Sequence, residues 1–162
     1  IASLHVFAGE DPCYREFYER YTRSDIIKLI LAETIKCLKD YSDYCALGHL
    51  DYGLSFAQNA AVLEYAEAPS LLDELLLHLI RSSKGLEVNT SGYRRSGNTL
   101  PSPSVLKRYF DLGGEIITLG SDAHRAEHVG YRFSDAAAML KSIGFKYTAY
   151  FKDMKPYFVP MT

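Results

Sequence analysis

Apolar positions along this chain follow two alternating periods. From 25 to 40 the residues Ile26, Ile27, Ile30, Leu31, Ile35 and Leu38 recur at helical spacing, which predicts a helix there with Ser24 as its N-cap. Further helices are predicted over 14–21, entered through Asp11-Pro12, and over 71–82, begun by Pro69-Ser70 and stopped by Lys84-Gly85. Two more fall at 103–112, closed by Gly113-Gly114, and at 133–143, closed by Gly144. Between them lie apolar runs of strand length at 2–7, 45–50, 86–90 and 115–119, with two more in the tail at 147–151 and 157–161. The stretch 53–68 reads as loop with some helix. Residues 91–102 form a loop of functional length, and 125–132 a shorter one.

Strands alternating with helices predict an α/β fold built on a parallel sheet or barrel, with its chemistry at the C-terminal strand ends. About four strand–helix steps are legible, too few for the usual eight-fold barrel. The chain also opens at Ile1, directly inside a strand-like run. Both observations predict a fragment of a larger barrel.

The polar residues at the strand ends are the informative ones. Ile116-Ile117-Thr118-Leu119-Gly120-Ser121-Asp122-Ala123-His124 is an apolar run delivering an Asp and a His two positions apart, which in a strand share one side. Tyr44-Cys45-Ala46-Leu47-Gly48-His49-Leu50-Asp51 has the same form, and His5 lies within the strand-like run 2–7. Three of the chain's 5 histidines are thus predicted on strands, and carboxylate with imidazole suits a borderline divalent metal. His78, among helix leucines, reads as structural, and His128 as a loop surface residue. Asp51 either orients His49 or caps the loop that follows it.

Composition narrows the classes. A length of 162 residues fits one domain with a real core, and 48% hydrophobic with 23% charged residues is ordinary for a globular protein. A net charge of -2 offers no basic field for nucleic acid. No apolar stretch approaches the roughly 20 residues of a membrane span, and no signal peptide is visible. Cys13, Cys37 and Cys45 are odd in number and lack metal-type spacing, which predicts a reducing cytoplasm.

Taken in order, Ser3-Leu4-His5, Leu47-Gly48-His49-Leu50-Asp51, Leu86-Glu87-Val88-Asn89-Thr90-Ser91-Gly92 and Gly120-Ser121-Asp122-Ala123-His124 resemble the PHP (polymerase and histidinol phosphatase) superfamily of metal-dependent hydrolases. Gly-His-Leu-Asp and Asn-Thr-Ser-Gly-Tyr-Arg are closer to its histidinol-phosphate phosphatase branch. The resemblance implies a distorted (β/α)7, TIM-like barrel holding two or three divalent ions (Zn, Mn or Fe) at its strand ends. It also implies a leading His-x-His, then a further His and a Glu, and no His-x-His occurs in this sequence. The expectation is therefore a single PHP domain over 1–162 that lacks its N-terminal strand–helix units, those units or a second copy being its partners.

By the same comparison His5, His49, Asp122 and His124 are metal ligands, with Asp122 and His124 at the chemistry. Arg94 is the expected phosphate-binding residue, Glu87 and Asn89 orient substrate, Arg125 is a weaker candidate and Arg95 a solvated surface charge. The implied activity is hydrolysis of a small phosphate monoester, L-histidinol phosphate first, in histidine biosynthesis. Two alternatives stand beside it. One is a PHP phosphoesterase acting on nucleotides or DNA ends, which would tend to carry Gly-His-Pro where this chain has Gly48-His49-Leu50. The other is a catalytically inactive half-domain serving as a binding module.

Overall fold

The computed structural model describes residues 1–57 and 62–161. Its regular elements are, in chain order, α1 (Arg15–Arg20), α2 (Arg23–Asp40), β1 (Ala46–Leu47), α3 (Pro69–Arg81), β2 (Gly85–Asn89), α4 (Pro103–Asp111), β3 (Ile117–Gly120), α5 (Phe133–Ile143), β4 (Tyr147–Lys152) and β5 (Lys155–Pro160). Short 3₁₀ turns occur at Tyr52–Leu54, Tyr65–Glu67, Thr90–Arg94 and Ala126–His128. The part of the expected 53–68 loop at 58–61 lies outside the described residues.

Strands β1, β2 and β3 form a parallel sheet in that order, with Leu47 opposite Leu86, Leu86 opposite Ile117 and Asn89 opposite Gly120. Parallel neighbours need crossover helices, and α3 and α4 supply them. β2 is buried at all five of its positions, as a central parallel strand should be. The predicted strand 2–7 does not form. Only Ala2 bridges to Leu47, and by Phe7 the chain folds back onto Glu10 through Ala8 and Gly9, both at positive φ. The predicted strand 45–50 shrinks to two residues because the chain turns off the sheet at His49.

Helix α2 starts two residues earlier than predicted. Thr22, not Ser24, is its cap: the Thr22 hydroxyl accepts from the Asp25 N–H at 3.3 Å, and the Asp25 carboxylate accepts from the Thr22 N–H. Only Thr22 has a carboxylate three positions on, which closes the reciprocal box. The apolar face of α2 packs on α3, burying Ile27, Ile30, Leu31, Leu72, Leu75, Leu76 and Leu79 in one core with β2.

Helix α5 runs over its predicted range and ends at Gly144, whose φ of 125° is strained for any other residue. The two tail strands pair with each other, antiparallel, across a tight turn at Asp153-Met154 with φ 51° and 61°. A two-residue connection cannot make a parallel crossover, so the tail departs from the repeating pattern. Among the described residues no helix is long and apolar enough to cross a membrane.

Candidate metal centre

The C-terminal ends of the three parallel strands bring the candidate residues to one rim. β1 leads into Gly48-His49, β2 carries Glu87 and Asn89, and β3 leads through Gly120 to Asp122. His49 has φ 23° and Asp122 φ 45°, a left-handed region that non-glycine residues rarely enter. Such backbone costs of order 1–3 kcal/mol and gathers at functional sites. Two of the four expected ligands are therefore the strained residues of this rim.

None of the four lies inside a strand. Alternation along β3 does not bring Asp122 and His124 together, since β3 stops at Gly120; the turn at Asp122 does. Nδ1 of His124 lies 3.0 Å from the Asp122 main-chain oxygen and 3.8 Å from its carboxylate. A carbonyl oxygen only accepts, so this bond makes Nδ1 the protonated nitrogen and leaves Nε2 with its lone pair. Both side chains are solvent-accessible, His124 at 83%.

His5 and His49 form a second pair. Their rings meet edge to face with centroids 5.0 Å apart, and both lie against Tyr52, at 4.5 and 4.9 Å. Nothing in the sequence separates Tyr52 from the other twelve of the chain's 13 tyrosines; only the turn after His49 puts it there. Its hydroxyl is 3.4 Å from the Cys13 thiol, and burial with that thiol alongside holds the phenol well above its ordinary pKa. His49 is buried, and its Nδ1 has no hydrogen-bond partner among the described residues. Burial pushes its imidazole below the ordinary value; its own main chain, Glu87 and Asp122 oppose that push and His5 adds to it. A neutral ring with an orphaned buried nitrogen is what a cation needs from a histidine.

Glu87 ties the strand ends together. Its Oε2 accepts from the His49 N–H at 2.9 Å and from Asn89 Nδ2 at 3.0 Å, while Asn89 Oδ1 accepts from the Ser91 N–H at 2.9 Å. The other carboxylate oxygen lies 2.0 Å from where a Cβ at Gly120 would stand, so Gly120 makes room for it. Glu87 and Asn89 are thus both buried and bonded to their own chain. Asp51 does not reach the His49 ring; its carboxylate accepts from the Leu63 N–H at 3.2 Å, fastening the far end of the loop.

Around the rim, Arg94 is exposed, donates to the Ser121 carbonyl at 3.5 Å and lies over Tyr131. Arg125 faces Glu127, and His128 lies beside Tyr131. His78 is structural, with Nε2 3.2 Å from the Leu38 carbonyl. The three cysteines are free.

The donor chemistry of His5, His49, Asp122 and His124 fits a borderline divalent ion, and the orphaned His49 nitrogen is the observation that favours one. Among the described residues, however, no group of three or more His, Cys, Asp or Glu side chains is arranged to hold a metal ion. The rim presents two pairs rather than a closed cage.

No protein-family model matches the chain. A probable histidinol-phosphatase of Thermotoga maritima is 34% identical over 103 residues, covering 64% of this chain and 42% of that protein. The histidinol-phosphatase of Lactococcus lactis is 29% identical over 158 residues, covering 96% of this chain and 58% of that protein. The crystal structure of histidinol phosphate phosphatase from the same Lactococcus, complexed with zinc, L-histidinol and phosphate, superposes with a TM-score of 0.79 at 26% identity, covering 96% of this chain and 60% of that one. The chain thus spans roughly two- to three-fifths of the length of these proteins. By sequence and by fold the chain is similar to the histidinol-phosphatases over part of their length.

Proposed function

We propose that the chain belongs to a metal-dependent phosphoric monoester hydrolase whose first substrate is L-histidinol phosphate. The observation that carries this reading is the pairing of His5 with His49 at the end of β1, with a buried, neutral Nδ1 on His49 that has no hydrogen-bond partner among the described residues. It is supported by the names of the relatives and by the zinc, L-histidinol and phosphate in the Lactococcus structure.

In this reading residues 1–162 are part of one PHP domain, and β1–β3 are part of the wall of its distorted (β/α)7 barrel. His5, His49, Asp122 and His124 would hold divalent ions of the Zn, Mn or Fe kind, two or three of them once further ligands join. Such ions supply a water acidic enough to ionise near neutrality and neutralise charge on the phosphate. The His-x-His that the resemblance calls for would come from another segment of the same protein or from a second copy.

The chain's own residues do the rest. Glu87 holds the His49 backbone, and so its imidazole, in place. Tyr52 closes one side of the imidazole pair against water. Arg94 matches phosphate oxygens with its planar fork, while Asn89 keeps Glu87 aligned. His124 Nε2, exposed at the rim with its lone pair free, can hold an ion or accept a proton near the leaving group.

The test is phosphate release from L-histidinol phosphate, against 3′-phosphorylated and single-stranded DNA, with zinc or manganese supplied. Turnover confined to the small monoester is expected. Preference for DNA ends would replace this reading with the nucleotide-directed one. Zinc affinity without turnover of any of these substrates would favour the binding module.

A further inference from the structure

We infer that Arg95 is a second anion-binding guanidinium of this rim, closing on a phosphate from the side opposite Arg94. The inference rests on the reading above that the rim takes a phosphate monoester.

β2 is the middle strand of the parallel sheet, and the 3₁₀ turn that follows it carries Arg94 and Arg95 across the rim. The two neighbours part there. Arg94 runs towards the end of β3, to the Ser121 carbonyl beside Asp122. Arg95 runs towards the end of β1: Nη1 donates to Ser55 Oγ at 3.2 Å, and its guanidinium lies 4.0 Å from the centre of the Phe56 ring. Phe56 meets Tyr52 edge to face at 5.0 Å, and Tyr52 is the ring against which both His5 and His49 lie. Contacts therefore run without a break from Arg95 to the imidazole pair.

Arg95 is exposed, and these contacts fix its head group at the surface. Arg15, Arg20, Arg23, Arg108, Arg125 and Arg132 each pair with a carboxylate. Among the described residues Arg81, Arg94 and Arg95 have no ion pair with a carboxylate; Arg94 and Arg95, unlike Arg81 at the end of α3, follow a strand end of the parallel sheet and are held there by other contacts. A guanidinium carries five N–H donors, and Ser55 takes one from Arg95. Stacking on Phe56 fixes the plane of the fork, which lowers the entropy lost when it grips an oxyanion with two parallel bonds. Two fixed, uncompensated forks on either flank of the strand ends suit a dianionic phosphoryl group.

The test is titration of the full chain with inorganic phosphate, zinc-loaded and metal-free, followed by chemical shift. Wild type, R94Q, R95Q, R95K and R81Q are compared; Arg81, at the end of α3, serves as a control. R95Q is expected to weaken phosphate about ten-fold or more, the value of one charge-assisted pair. R95K, keeping charge without the fork, should recover only part of that, and R81Q should behave as wild type. If R94Q weakens phosphate while R95Q and R95K do not, the inference falls and the phosphatase reading stands. If the wild-type chain binds no phosphate in either state, the reading falls and takes the inference with it.

Discussion

Replacing Gly120 by alanine should destabilise the fold although the backbone there accepts alanine. Gly120 is not among the residues with positive φ, and glycine-to-alanine changes at compatible sites normally stabilise by about 0.4–1 kcal/mol. Here the new Cβ would stand 2.0 Å from Glu87 Oε1 and 2.7 Å from its Cδ, where ordinary contact begins at 3.4 Å. The carboxylate would have to withdraw by about an ångström or more, pulling away from the His49 N–H and Asn89 Nδ2 it now holds at 2.9 and 3.0 Å. Hydrogen bonds to a charged group contribute about 1.5–3 kcal/mol, and a buried N–H left without an acceptor costs about 1–3 kcal/mol. A net loss of about 2–4 kcal/mol in urea unfolding is expected for Gly120→Ala. Glu87→Ala should lose a similar amount. In the double variant the second change has nothing left to displace, so the two losses should overlap by about 2 kcal/mol. Additive losses, or a stabilising Gly120→Ala, would show that Glu87 does not depend on the space at Gly120.

Three other outcomes can be measured. Burial, opposed by the Leu63 N–H and by Arg23, pushes the Asp51 carboxyl up to about 7, above its unfolded value of about 3.9. Because the folded state then holds the proton more tightly, stability should be full below about pH 4 and fall by a few kcal/mol towards pH 7. Asp51→Asn should flatten that slope, and identical pH profiles for the two chains would count against it. His49→Ala should weaken zinc at least about ten-fold in competition with a chromophoric chelator, whereas His78→Ala, whose ring serves the Leu38 carbonyl, should not. Leu76→Ala, fully buried between α2 and α3, should cost about 2–5 kcal/mol, while Lys107→Ala in an exposed pair with Asp111 should change stability by less than about 1 kcal/mol.

Helices were the legible part of this chain. α5 is bounded by a periodic apolar face and a glycine stop, both local signals, and its range follows directly. The start of α2 depended on a pairing between Thr22 and Asp25, which outweighs the nearer Ser24 because only it satisfies two donors at once. Strands fared worse at the rim. The runs at 2–7 and 45–50 are apolar enough to be strands, yet the chain leaves the sheet at His49. Residue type alone nominates the candidate ligands, but the local geometry around them differs from the expected one. Same-side alternation in a strand was expected, whereas strained turns at His49 and Asp122 do the work. Tyr52 and the Glu87–Gly120 fit were invisible in the sequence, since each depends on a partner at least thirty positions away or on a side chain that is absent.

The proposed metal centre needs two histidines and an aspartate to draw together on one cation. Crystals of the chain grown with zinc and measured at the zinc absorption edge test this directly. An anomalous peak bonded by ring nitrogens of His5 and His49, with the Asp122 carboxylate beside it, is the predicted result. Zinc ordered only at other sites, with the His49 ring nitrogen still unpartnered, would contradict it.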